Sequence, residues 1–211
     1  MSESRAKKIK LILFDVDGVL TDGLIFLIPV PADKQAAANV AGGDKSGIAL
    51  KSQNAIEVKG FHAHDGTGFS LARLAGMKSG IVTKRISETV ALRARDLKMD
   101  FVSQGAADKG TAFREIVAQA GLSPEEVAFV GDDIIDLPAM RLAGLAIATA
   151  NARDEVKRES HFVTERRGGE GAARDAVEYI LRAKGVLEQV SNDYMADRAS
   201  SASSMDVGAK S

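Results

Sequence analysis

The chain has 211 residues, 45% hydrophobic and 27% charged, enough to bury a sizeable core around one main domain. Its 28 basic and 29 acidic residues leave a formal net charge of -1, so it lacks the global basic field that nucleic acids or anionic membranes select, and neither is expected as a partner. Cysteine is absent, which excludes disulfides and thiolate metal sites, and there is no signal peptide and no run of the roughly 18 to 20 apolar residues a spanning helix needs, so a cytoplasmic protein is expected.

Ile9 to Phe14 is a short continuous apolar run, the pattern of a strand covered on both faces. It ends in D-V-D-G-V-L-T-D, from Asp15 to Asp22. Ile28 to Ile56 then breaks the rhythm with P-V-P, an alanine-rich run, G-G-D-K-S-G and the alternation I-E-V-K-G-F; it reads as a strand, a long loop and a return strand. Helical periodicity follows at Phe69 to Ala75, Ser87 to Leu97 and Lys109 to Ala120. Between and after these come short apolar runs at Gly80 to Thr83, Asp100 to Val102, Val127 to Val130, Leu145 to Ala148 and His161 to Val163.

Alternating strands and helices predict an α/β, Rossmann-like fold: a mostly parallel sheet with helices on both faces. Residues 1–190 form one domain with a hairpin insert at about 22–61, and residues 191–211, rich in Ser, Ala and Asp, are expected to form a disordered tail. In such folds ligands gather outside the carboxyl ends of the strands. Asp15, Thr83 and Asp132 all fall there.

Each feature has an ordinary explanation by itself. Aspartates after a strand cap turns, Thr83 can cap the helix starting near Ser87, Lys109 can be a solvated first-turn lysine, and the acids of G-D-D-I-I-D can cap a helix. A cation at Lys109 nevertheless opposes the helix dipole. In extended chain, residues two apart share a face, so Asp15 and Asp17 can address one group.

Taken in order, D-V-D-G-V, Thr83, Lys109 and G-D-D-I-I-D resemble the haloacid dehalogenase superfamily of phosphotransferases, from about Lys10 to Gly185. The resemblance implies Asp15 as nucleophile forming an aspartyl-phosphate, and Asp17 as general acid and then base. It implies Mg²⁺ held by Asp15, the Asp17 carbonyl and Asp132, with Asp133 and Asp136 behind the ligands orienting water or Lys109. Thr83 and Lys109 would hold phosphate oxygens. The only insert being a hairpin, the cap is minimal.

F-H-A-H-D-G-T-G-F, I-V-T-K-R, G-A-A-D-K-G and F-V-T-E-R-R-G-G-E-G are similar to the 3-deoxy-D-manno-octulosonate 8-phosphate phosphatase branch. That likeness implies a sugar-acid phosphate as substrate, a step in lipopolysaccharide precursor synthesis, and a homotetramer whose hairpins assemble together and whose C-terminal segments help close neighbouring sites. Substrate contacts are expected from Gly18, Lys84, Arg85, Asp65 and Gly66, with Arg85 gripping a carboxylate; His62 and His64 are read as surface or hairpin residues. The chain departs from the branch at Lys84, at Glu170 and in the longer stretch Ala32 to Gly47. A nine-carbon sugar-acid phosphatase, a broader sugar phosphatase and a non-catalytic partner-binding relative are the alternatives.

Overall fold

The computed structural model describes residues 2–29 and 55–206. In chain order the strands are β1 (Leu11–Phe14), β2 (Phe26–Pro29), β3 (Ala55–Val58), β4 (Lys78–Thr83), β5 (Phe101–Gln104), β6 (Val127–Gly131), β7 (Leu145–Ala148) and β8 (Phe162–Val163). The helices are α1 (Ser2–Ala6), α2 (Ala63–Leu74), α3 (Glu88–Asp96), α4 (Lys109–Ala120), α5 (Leu137–Met140), α6 (Asp154–Glu159), α7 (Ala172–Ala183) and α8 (Leu187–Asp206).

Six strands form one sheet in the order β5-β4-β1-β6-β7-β8, every pairing parallel. The chain runs outward from β1 through β4 to β5, then returns to the other side of β1 as β6. That reversal puts a crevice at the tip of β1. Leu11 and Leu13 of β1 face a cluster with Phe113, Val117 and Phe129, while Ile12 and Phe14 face another with Phe69, Val177 and Ile180. Strand periodicity of two therefore explains why the run is apolar without alternation: both faces are covered.

α2 and α7 cover the second face together. Gly68 permits their approach, since a Cβ there would stand 3.0 Å from the Arg174 Cα. β2 and β3 form a separate antiparallel hairpin, pairing Phe26 with Val58 and Pro29 with Ala55, within the insert expected at about 22–61. Ala32 to Gly47 lies outside the described residues.

Two differences from the sequence reading concern the ends. α1 was not anticipated; its Arg5 Nη1 donates to the Gly144 carbonyl at 2.8 Å. The segment 191–211, expected to lack structure, is helical as far as Asp206 in α8. α8 begins before that segment and is anchored there: Val190 is buried, and Leu187 and Tyr194 pack against the core. Alanines favour continuation from that anchored turn. No helix of the described residues is long and apolar enough to cross a membrane.

Phe113 is fully buried in the first cluster. Phe113→Ala is expected to lower the unfolding free energy by about 3–5 kcal/mol, which urea denaturation followed by circular dichroism would measure; a loss of under about 1 kcal/mol would mean that this face tolerates the cavity.

Candidate active site

Asp15 is the first residue past β1, and its N–H still donates to Val130 on β6 at 2.9 Å. The chain then coils tightly, the N–H groups of Val19, Leu20 and Thr21 all donating to the Val16 carbonyl at 3.2, 2.9 and 3.0 Å. Gly18 lies in this coil with φ 89°. A Cβ on it would fall 2.1 Å from Asp132 Oδ2, so only glycine lets the two strand tips meet.

Lys109 opens α4 because Asp108 caps that helix, accepting from the N–H groups of Gly110 and Thr111, both at 3.1 Å. The Lys109 side chain turns inward and is 2% exposed. Its ammonium stands 2.6 Å from Asp15 Oδ1 and 2.5 Å from Asp136 Oδ1. Burial would lower its pKa, but Asp15 and Asp136 overcome that and hold it above the usual lysine value. Asp136 uses its other oxygen to accept the N–H groups of Asp132 and Asp133 at 2.9 and 3.1 Å. Both oxygens of that carboxylate are engaged.

Asp132 is not fully engaged. Its Oδ1 is buried without a hydrogen-bond partner among the described residues. Burial, followed by repulsion from Asp15 and Asp136, pushes its pKa up to about 8, and burial pushes Asp15 up to about 7 against the pull of Lys109. Asp15, Asp132 and Asp136 can each offer an oxygen within 4.8 Å of the others. Because Asp136 is committed to Lys109 and the backbone, a cation would rest on Asp15 and Asp132. Carboxylate oxygens with one ligand position unfilled suit a hard divalent ion.

The cleft beside this cluster has a volume of about 330 Å³ and is lined by Asp15, Asp17, Thr83, Lys84, Arg85, Lys109, Asp132 and Asp133 among others. Thr83, at the end of β4, is buried. Asp17 sits at the rim, where Lys59 Nζ lies 2.5 Å from Oδ1 and Arg85 Nε 3.3 Å from Oδ2. Glu57 bridges the same two cations at 3.3 and 3.5 Å. An anion entering the cleft meets three cations and a set of acids that can hold a metal ion.

A family model of haloacid dehalogenase-like hydrolases matches residues 81–174. Over 186 residues the chain is 32% identical to the 3-deoxy-D-manno-octulosonate 8-phosphate phosphatase KdsC of Escherichia coli (strain K12), covering 88% of this chain and 86% of the relative. The chain belongs to the KdsC-like haloacid dehalogenase phosphatases. Among solved structures, the 3-deoxy-D-manno-octulosonate 8-phosphate phosphatase from Moraxella catarrhalis, in complex with a magnesium ion, a phosphate ion and a KDO molecule, aligns with TM-score 0.76 at 31% identity over 91% of this chain and 97% of that one. The Yersinia pestis phosphatase aligns with TM-score 0.74 at 33% identity over 89% and 88% of the two chains.

In this KdsC-like phosphatase, Asp15, Asp17, Thr83, Lys84, Arg85, Lys109, Asp132 and Asp133 come together at one cleft, with Gly18 under Asp132 and Asp136 behind Lys109. Asp133 caps the short 3₁₀ turn after β6 by accepting from the Ile134 N–H at 2.7 Å. Asp65 and Gly66 do not join them. Both lie in the first turn of α2 rather than in a loop. Asp65 is buried and accepts from the Arg174 N–H at 3.0 Å, serving the start of α7 where Gly171 has no side chain to cap with; burial raises its pKa to about 6. Gly66 faces Arg93 and Leu97. The D-G-x-G segment packs helices here.

His62 caps α2, its Nδ1 accepting from the His64 N–H at 3.3 Å. Glu170 is exposed and lines no part of the cleft, whereas Lys84 does. The neighbouring Gly168 donates to Asn151 Oδ1 at 2.6 Å, and Asn151 Nδ2 donates to the Gly18 carbonyl at 2.9 Å, clamping the coil after Asp15. Asn151, Glu57 and Lys59 were missed by sequence reading. For the latter two a signal existed: the alternation of I-E-V-K puts Glu57 and Lys59 on one strand face, beside a carboxylate loop that needs counter-charge.

Asp15 and Asp132 bind protons more tightly in the folded protein than the usual 3.8, so without a cation their ionisation, among Lys109, Asp133 and Asp136, costs stability as pH rises from about 4 to about 8. A divalent cation offsets that cost and competes with the protons. Saturating Mg²⁺ should raise the thermal midpoint more at about pH 8 than at about pH 5, and in chelator at about pH 8 Asp132→Asn should melt above the parent chain; equal shifts at both pH values would contradict the site.

Proposed function

We propose that this phosphatase hydrolyses 3-deoxy-D-manno-octulosonate 8-phosphate to 3-deoxy-D-manno-octulosonate and inorganic phosphate through a covalent aspartyl-phosphate on Asp15, with Mg²⁺ as cofactor. The observation that carries the reading is the pairing of a buried carboxylate at the β1 tip, held by Lys109 at 2.6 Å, with a second carboxylate two residues on at the cleft rim. A carboxylate fixed by a buried cation cannot swing away from an incoming phosphorus.

Asp15 attacks phosphorus, and the bond from phosphorus to the ester oxygen breaks. Asp17 gives that oxygen a proton and then takes one from the water that releases phosphate. Thr83 and Lys109 hold the phosphoryl oxygens as charge builds on them. Asp15, the Asp17 carbonyl and Asp132 would hold the magnesium ion, which when bound neutralises phosphate charge so that one anion can approach another. Asp136 orients Lys109, while Asp133 shapes the turn that presents Asp132. The relative crystallised with magnesium, phosphate and KDO supports both the ion and the sugar acid, and Lys84 and Arg85 are the cations at the cleft suited to a sugar carboxylate.

The hairpin supports assembly into a homotetramer. Leu24, Phe26, Leu27 and Ile28 are 57%, 49%, 53% and 52% exposed, a contiguous apolar ribbon of the kind that a second copy covers. Phe26→Glu with Leu27→Glu is expected to reduce the particle to a smaller species in light scattering; an unchanged mass would remove the hairpin from the assembly.

Phosphate release would be measured with and without Mg²⁺ from 3-deoxy-D-manno-octulosonate 8-phosphate, nine-carbon sugar-acid phosphates and neutral sugar phosphates. Mg²⁺-dependent preference for the octulosonate ester is expected, with kcat in Asp15→Asn reduced by at least about 10⁴-fold. Flat activity across the panel would overturn the substrate, and activity retained by Asp15→Asn would overturn the mechanism.

A further inference from the structure

Lys59 follows β3 directly, and its side chain is 1% exposed although it carries a charge. Buried lysines are rare unless paired, and this one is paired twice, 2.5 Å from Asp17 Oδ1 and 3.3 Å from Glu57 Oε1. Arg85 closes the ring from the other side, 3.3 Å from Asp17 Oδ2 and 3.5 Å from Glu57. Two cations and two anions thus balance, and three of the four members come from segments remote in sequence from the coil that carries Asp17.

Asp17 itself is 23% exposed at the side chain and lies on an irregular coil. Nothing in that coil's own hydrogen bonds restrains its carboxylate. The ammonium of Lys59 does, because burial denies it other rotamers and the Glu57 carboxylate attracts it at 3.3 Å as an ion pair without a hydrogen bond.

We infer that Lys59 is a positioning residue for Asp17, and that the return strand of the hairpin thereby completes the active site of its own chain. The inference rests on the reading of Asp17 as the group that protonates the leaving oxygen. Lys59 acts through Asp17 and does not touch substrate; Glu57 acts one step further out by orienting Lys59 and Arg85. A misplacement of about 1 Å in such a group costs about 100-fold in rate. The cost should fall on esters that need the proton: an alkyl oxygen leaves only if protonated as the bond to phosphorus breaks, whereas p-nitrophenolate leaves as the anion.

The test compares variants on 3-deoxy-D-manno-octulosonate 8-phosphate and p-nitrophenyl phosphate; should the octulosonate ester not be turned over, the fastest sugar phosphate stands in for it. Lys59→Met should lower kcat/KM, which reports formation of the aspartyl-phosphate and not its hydrolysis, about 100-fold on the sugar ester and less than about 10-fold on the aryl ester. Lys59→Arg should recover part of the loss, and Lys59→Met should add nothing to Asp17→Asn on the sugar ester. If Lys59→Met fails to fold, Glu57→Gln with Lys59→Met removes the buried pair together and carries the same comparison. Equal losses of kcat/KM on both esters, or none, with Asp17→Asn selective, would overturn the role of Lys59 alone. Asp17→Asn showing no selectivity in kcat/KM would overturn the reading of Asp17 and this inference with it.

Discussion

The buried ammonium of Lys109 is the contact on which the rest of the site depends. It joins the tip of β1 through Asp15, the start of α4 through its own backbone, and the loop after β6 through Asp136. Removing one partner from such a buried pair typically costs about 3–5 kcal/mol, because the other charge is left without compensation. Asp136 passes the constraint on, since its second oxygen holds the N–H groups of Asp132 and Asp133. One cation cannot neutralise Asp15, Asp132 and Asp136 together. The remaining negative charge, concentrated at Asp15 and at the unpartnered oxygen of Asp132, makes the site receptive to a divalent ion and, through that ion, to phosphate.

A second ring of charge stands at the rim. Glu57 and Lys59 come from the hairpin, Arg85 from the loop after β4, and Asp17 from the coil after β1. The inner cluster is built by the parallel sheet, whereas the outer one depends on an insert that belongs to no layer of the fold. One side of the insert ends in the charged ring, and on the other the segment Leu24 to Ile28, running into β2, is exposed to the surroundings. Assembly and catalysis would therefore share one small element.

Legibility followed the range of the interactions. Asp15, Thr83, Lys109 and Asp132 were readable because each lies at a strand tip or helix start, and a parallel sheet collects such positions by its topology. Lys59 was missed, because the alternation that puts it on one face with Glu57 does not point to a partner, Asp17, that lies 42 residues away. Asp65 was expected among the substrate contacts from the family likeness alone, whereas in this structure it lies on a helix that His62 caps and its carboxylate serves α7. α8 was concealed by its serines and alanines, which say little about anchoring contacts supplied by Val190 and Tyr194.

The central claim is that Asp15 becomes covalently phosphorylated, and trapping tests it most directly. Turnover of 3-deoxy-D-manno-octulosonate 8-phosphate would be quenched with borohydride, which reduces an acyl phosphate, and the chain mapped by peptide mass spectrometry. The account predicts conversion of Asp15, and of no other carboxylate, to homoserine. Modification at another residue, or none while phosphate is released at full rate, would contradict it.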